Sequence, residues 1–174
     1  LNDTEVKNMH DKQAAIYKTM GWDKHQLDNL GKLEQTINLS KVKTHHDIAC
    51  GTGDFVYALS RRGISSTGSD LSHEMINQAR KLYPMLRFEH GDMRTIQLGK
   101  RVDLITINYF SLNMVPSSED IKTTIGNLAS GLNQGGFLAF DFSTPGFVYN
   151  ANIHELLEEN GVIISQNITS QNGV

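Results

Sequence analysis

The sequence predicts an α/β fold built on a doubly wound, mostly parallel sheet, and two observations carry that expectation. First, short apolar runs alternate with helical patterns from residue 44 to residue 143, the order that parallel strands impose because each return crossover needs a helix. Second, Asp47-Ile48-Ala49-Cys50-Gly51-Thr52-Gly53 reads as a strand running into a glycine-cornered turn, and Asp70 follows Gly51 by 19 positions at the end of the next strand. Glycine at a sharp corner lets a ligand lie against the backbone, and a carboxylate about 20 residues on is placed to accept from ribose hydroxyls.

The elements follow in order. Helices are expected over 5–20, with Val6, Met9, Gln13, Ile16 and Met20 on one face, and over 25–37, with Leu27, Leu30, Leu33 and Ile37 on one face. Strand 44–49, helix 54–62, strand 65–70, helix 72–83, strand 86–90, strand 102–109, helix 117–133 and strand 136–143 come next. Ser72 is a candidate cap for the second helix of this series and Pro84 stops it. Ser117 or Ser118 caps the third, and Gly135-Gly136 ends it. Beyond Pro145 a short helix over 151–160 and a strand over 162–168 are expected, with Gly161 between them.

The ligand is bounded by the same loop. A dinucleotide motif needs a third glycine where this chain has Val56, and Asp54 puts a negative charge at the helix N-terminus where a pyrophosphate would sit. A phosphate-free, cationic nucleoside suits the loop better, and a dinucleotide-dependent oxidoreductase is disfavoured.

Taken with Gly68-Ser69-Asp70-Leu71-Ser72-His73-Glu74-Met75 and Gly91-Asp92-Met93-Arg94, the glycine corner resembles the first three motifs of the class I S-adenosylmethionine-dependent methyltransferases, in order, over about residues 42–145. The resemblance implies a Rossmann-like fold and S-adenosyl-L-methionine as cofactor. It implies that the backbone through Ala49, Cys50, Gly51 and Gly53 cradles the methionine portion, with Asp47 near its ammonium. Asp70 would take both ribose hydroxyls and Asp92 the adenine amine, with Leu71 and Met93 offering apolar surface to the ring. Asn108 would lie beside the transferred methyl, Tyr17 would face the sulfonium, and Tyr109 and Asn113 would meet the acceptor.

Ala49 stands where that family often has glycine. The family usually carries seven strands, whereas this chain offers six, so its last strand or strands are missing, or residues 146–174 open a substrate-covering segment. Asn108 is followed by Tyr109 and Phe110 instead of the Asn-Pro-Pro-aromatic signature of nucleic-acid and protein methylation. A small-molecule acceptor is therefore expected, methylated at nitrogen as in the sugar-amine enzymes. The alternative function is a non-catalytic nucleoside-binding or regulatory subunit that keeps the cofactor fold.

Each residue also has a plainer role available. The glycines suit any strand-to-helix turn, Asp70 suits a helix N-cap, Asp92 suits a Gly-Asp turn, and Leu71, Met93 and Tyr17 suit a core. No catalytic base is assigned. His45 and His46 are expected at the surface, at the wrong end of the sheet; His90 lies near the Gly91-Asp92 turn; His10, His25 and His154 belong to flanking helices that suit a lid.

Composition bounds the rest. At 174 residues and 39% hydrophobic, the chain is sized for one domain over 1–174, with a helical cap over 1–40, a cofactor-binding core over 42–145 and a C-terminal segment over 146–174. A net charge of −3 with no basic run argues against a nucleic-acid partner. No apolar run approaches the ~20 residues that span a bilayer, so no membrane partner is expected. The single cysteine, Cys50, precludes an internal disulfide and suits a reducing, cytoplasmic setting, and no histidine or cysteine pair has metal-ligand spacing. Val162, Ile163, Ile164 and Ile168 would form an uncharged strand edge, which is expected either to pair with a second copy of the chain or to be covered by further sequence.

Overall fold

The computed structural model of the chain describes residues 3–14, 16 and 22–141. Five strands, β1 (Thr44–Ile48), β2 (Ser65–Asp70), β3 (Arg87–His90), β4 (Val102–Ile107) and β5 (Leu132–Phe140), pair in parallel in the order β3-β2-β1-β4-β5. Five helices accompany them: α1 (Asp3–Gln13), α2 (Trp22–Thr36), α3 (Asp54–Ser60), α4 (His73–Leu82) and α5 (Ser118–Ser130). The order reverses beside β1, because β2 and β3 extend to one side and β4 and β5 to the other. A crevice for a ligand then lies at the carboxyl ends of β1 and β4.

Both faces of the sheet are covered, as a parallel sheet requires. On one side Ile105, Ile107 and Leu138 pack with Ile121, Ile125 and Leu128 of α5. On the other, Leu104 packs with Leu30 and Leu33 of α2 and with Phe55 and Leu59 of α3, while Val56, Ile76, Ala79 and Phe88 fill the space beneath α4. Adjacent residues of β4 thus serve opposite layers, which is the period of two that a strand imposes. Capping agrees with expectation: Ser72 Oγ accepts from the Met75 amide at 3.1 Å, and Ser117 Oγ from the Asp120 amide at 3.1 Å.

Two expectations are corrected. Helix α5 ends at Ser130 and β5 opens at Leu132, so Gly135-Gly136 does not separate the helix from the strand. Val102 pairs with Leu132 but Leu104 pairs with Phe137, so the chain bulges between them, with Gly135 at φ +76°. A Cβ on Gly136 would sit 3.0 Å from the carbonyl oxygens of Asn133 and Asp103. The glycines mark a bulge inside the strand.

His45 and His46 are not at the surface: they are 1% and 4% exposed. Because β1 is the middle strand, its two faces are both interior, and neighbouring strands supply a hydroxyl to every ring nitrogen. His45 meets Ser66 Oγ at 2.6 Å and Thr106 Oγ1 at 2.8 Å; His46 meets Thr67 Oγ1 at 2.8 Å and Ser69 Oγ at 3.0 Å. Tyr17, His154 and the elements expected over 151–160 and 162–168 lie outside the described residues.

The turn into α3 generates a prediction. Gly53 has φ +83°, and a Cβ there would sit 2.6 Å from the buried Phe88 ring. Left-handed backbone and overpacking each cost about 1–3 kcal/mol, so Gly53→Ala is expected to lower the urea midpoint by an amount worth about 2 kcal/mol or more. An unchanged midpoint would show that the ring yields freely.

Candidate cofactor site

Three residues at the end of β1 adopt left-handed backbone: Ala49 (φ 55°), Gly51 (φ 53°) and Gly53 (φ 83°). The corner is tied down by the Cys50 amide donating to Ser69 O at 2.9 Å and by the Gly53 amide donating to Cys50 O at 2.9 Å. Gly68 lets this corner close on β2, since a Cβ there would come within 2.8 Å of the Cys50 side chain.

Asp70 links the two loops. Its Oδ2 accepts from the Gly51 amide and its Oδ1 from the Ser72 amide, both at 2.8 Å. The N-cap of α4 is Ser72, so Asp70 is not the cap. Burial raises the Asp70 pKa, and the two amide bonds, with His10 and His90 nearby, oppose that rise. Each of its oxygens has taken one donor, and a carboxylate oxygen has room for a second.

Asp47, 2% exposed, lies beside it. Thr106 Oγ1 donates to its Oδ1 at 2.5 Å and Asn108 Nδ2 donates to the same oxygen at 3.1 Å. Among the described residues, Oδ2 receives no hydrogen bond. Burial pushes the Asp47 pKa up to about 7, with Asp70 and Asp141 adding to the rise and the bonds from Thr106 and Asn108 opposing it.

Three partners that sequence reading missed complete this end of the sheet: Thr106, Asn29 and Asp141. The Asp141 carboxylate accepts from the Tyr109 amide at 3.1 Å and the Phe110 amide at 2.8 Å, and Asn29 Nδ2 donates to it at 3.3 Å. Those bonds hold Tyr109 and Phe110 at φ 62° and 56°. Asp141 had a legible signal, a carboxylate one residue past a parallel strand, as Asp92 nearly is after β3. Asn29 had none, because a polar residue on α2 reads as surface.

The remaining expected residues fall around this centre. Asp92 forms the turn itself, accepting the Arg94 amide at 2.9 Å, and is forked by the Arg94 guanidinium at 2.5–3.1 Å. Arg94 holds its pKa below the usual range, so any adenine contact must share that carboxylate. Leu71 and Met93 are half-buried, Met93 against the α5 side of the core. His90 donates from Nε2 to Leu71 O at 2.9 Å, and its ring stacks on His73 at 3.7 Å. Asn113 is half-buried, its amide bonded to Phe110 O at 2.9 Å. The Cys50 thiol is buried, and that burial, with Asp70 and Asp47 beside it, pushes its pKa up, unsuited to a nucleophile.

Helix α1 reaches over the strand ends. Ser72 Oγ donates to Asp11 Oδ1 at 2.5 Å, and His10 Nε2 lies 3.5 Å from Met114 Sδ. A shallow groove of about 210 Å³ between Leu98, Lys100, Asn127 and Gly131 lies at the opposite end of the sheet.

A buried carboxylate oxygen with no donor among the described residues, a second buried carboxylate with spare lone pairs and a left-handed glycine corner fit a cationic adenosyl ligand. The fold and site define a Rossmann-like nucleoside-binding domain of the class I methyltransferase type. The chain belongs to the methyltransferase domain family, whose match covers residues 46–136. It is 27% identical over 95 residues to dTDP-3-amino-3,4,6-trideoxy-alpha-D-glucopyranose N,N-dimethyltransferase of Streptomyces venezuelae, covering 55% of this chain and 40% of that protein. It is 29% identical over 148 residues to dTDP-4-amino-2,3,4,6-tetradeoxy-D-glucose N,N-dimethyltransferase of Saccharopolyspora spinosa, covering 80% and 59%. The crystal structure of Streptomyces venezuelae DesVI superposes with a TM-score of 0.69 at 20% identity, over 75% of this chain and 57% of that one. The chain thus spans about half the length of the relatives it matches.

Stability should respond to pH through the buried groups in opposite senses. Asp47 has a raised pKa, so its contribution is present at low pH and is lost as pH rises from about 4 to about 7. His45 and His46 are pushed down by burial to about 3 and about 4, so their contribution is present above pH 6.5 and lost as pH falls below it. Asp47→Asn is therefore expected to lose ground to the parent protein at pH 5 and to regain it by pH 8, read from urea unfolding at each pH. A constant difference would mean that Asp47 titrates normally.

Proposed function

We propose that this chain is the cofactor-binding part of an S-adenosylmethionine-dependent methyltransferase that methylates a small molecule at nitrogen. The observation that carries the reading is the pair of buried carboxylates, Asp47 and Asp70, set at the ends of β1 and β2 on either side of the glycine corner. A sulfonium supplies a methyl group that is already activated for in-line displacement, which leaves the protein to align the partners and exclude water. Asp47 Oδ2 would take the ammonium and Asp70 the ribose hydroxyls, while Leu71 and Met93 flank the adenine and Asp92 shares its carboxylate between Arg94 and the ring amine. Asn108 would lie beside the transferred methyl, and Tyr109 and Asn113, on the loop after β4, would face the acceptor.

Nitrogen as acceptor atom is supported by the amino-sugar N,N-dimethyltransferases among the relatives. A dinucleotide fits less well because the Asp54 carboxylate occupies the start of α3, bonded by Thr52 Oγ1 at 2.6 Å and by the Tyr83 hydroxyl.

Calorimetry is expected to give micromolar binding of S-adenosylhomocysteine, about −8 kcal/mol, and no comparable binding of NAD. Asp70→Asn should weaken it more than Asp92→Asn, because Asp70 is buried and its charge-assisted bonds are worth about 1.5–3 kcal/mol each. Equal binding by Asp70→Asn and the parent protein would remove the ribose role. Methyl transfer to amino sugars, with none to carboxylic acids or phenols, is the result expected for the acceptor. Turnover on the acids alone would overturn the nitrogen assignment.

A further inference from the structure

We infer that His45 and Thr106 are positioning residues for the amino-acid end of the cofactor: the bonds His45 Nε2 to Thr106 Oγ1 to Asp47 Oδ1 leave one carboxylate oxygen, Oδ2, to bind the ammonium. The inference rests on the reading of Asp47 given under Proposed function.

Counting hydrogens fixes the direction of the chain. Thr106 has a single hydroxyl hydrogen, and the 2.5 Å contact commits it to Asp47. Thr106 Oγ1 must then accept at its 2.8 Å contact with His45, so the proton of a neutral imidazole sits on Nε2. Nδ1 is left bare and accepts from Ser66 Oγ at 2.6 Å. Burial with His46 alongside holds His45 neutral down to about pH 3, so it acts as a fixed donor throughout the range in which enzymes work. A hydroxyl that accepts one hydrogen bond donates the next more strongly, and the low-polarity interior of the sheet enlarges the effect.

The consequence falls on Asp47. Its Oδ1 already receives Thr106 and Asn108, so an added proton goes to Oδ2, the oxygen the ammonium needs. Proton and ligand compete for one position. The charged and titratable groups facing it are Asp70 on β2, Asp141 after β5 and Cys50 at the corner, with His45 on the same face of β1, joined to it through Thr106; His46 points to the opposite face, and His10 of α1 and His90 of β3 act on Asp70. The two carboxylates push Asp47 towards the protonated form, and the His45–Thr106 chain works against them.

The experiment compares S-adenosylhomocysteine with 5′-methylthioadenosine, which lacks the amino-acid end, by calorimetry between pH 5.5 and 8. For the parent protein, S-adenosylhomocysteine affinity should fall about tenfold per pH unit below about pH 7, while 5′-methylthioadenosine affinity stays level. His45→Leu should shift the fall to higher pH, costing S-adenosylhomocysteine roughly 3–10-fold at pH 7, closing towards parent affinity at pH 8 and leaving 5′-methylthioadenosine unaffected. His45→Gln, which restores a donor near Nε2, should recover most of the loss. Thr106→Val carries the same test where His45→Leu does not fold. A His45→Leu profile identical to the parent's, or equal losses for both ligands at every pH, would overturn the inference while the cofactor reading stands. Absence of S-adenosylhomocysteine binding by the parent protein would overturn both.

Discussion

The burial of β1 between two pairs of parallel strands is the constraint on which the other features depend. A parallel sheet must be covered on both faces, so His45, His46, Asp47 and Ile48 of β1 are all buried, and only one of them is aliphatic. A buried polar group without a partner costs about 1–3 kcal/mol, and three consecutive ones have to be answered from the flanking strands. This accounts for β2, whose sequence Ser65-Ser66-Thr67-Gly68-Ser69-Asp70 carries no apolar side chain and has little strand propensity of its own. Its hydroxyls are bonded to the two imidazoles of β1, and Thr106 of β4 answers His45 and Asp47 together.

That dependence also explains what was legible in the sequence. The order of strands and helices could be read because each helix carries a local stop or start, such as Ser72, Pro84 and Ser117, and because β4 has the apolar run of an interior strand. The depth of β1 could not, since a Thr-His-His-Asp run reads as surface until its partners are known, and those lie 21 to 61 residues away in the chain. The start of β5 was missed for a related reason: glycine usually punctuates an element, and here two glycines form a bulge whose necessity comes from the backbone of β4. Asp70 was singled out by its spacing from Gly51, and Asp47 by the resemblance of the glycine corner to the methyltransferase motif. Asp92 was legible only in part, because the Arg94 two residues on turns it into a half-buried ion pair as well as a turn former.

Carboxylates dominate the electrostatics of the site. Asp47, Asp70 and Asp141 gather at the carboxyl ends of the central strands, and among the described residues the guanidinium of Arg94 is spent on Asp92. Backbone amides answer Asp70 and Asp141, and hydroxyl and amide side chains answer Asp47. These are dipoles, which lower the cost of a buried charge without cancelling it. Mutual repulsion among the carboxylates is relieved by a cation, so the site favours a positively charged ligand over a neutral one of the same shape. Such a ligand binds the folded chain alone and stabilises it by mass action.

The same arrangement separates this loop from the dinucleotide-binding corner it resembles. There the start of the helix is left open so that its amides meet a pyrophosphate. Here the first residue of α3 is Asp54, held in place by Thr52 and Tyr83, so a negative charge already stands at that position, and Val56 fills the space where a third glycine would bring the helix closer. Glycine is retained only at the corner itself, where left-handed backbone and the Phe88 ring demand it. Close backbone approach is therefore available to a ligand at the end of β1 and denied at the helix, and the ligand that matches this corner is short and carries its charge as a cation where a dinucleotide carries a pyrophosphate.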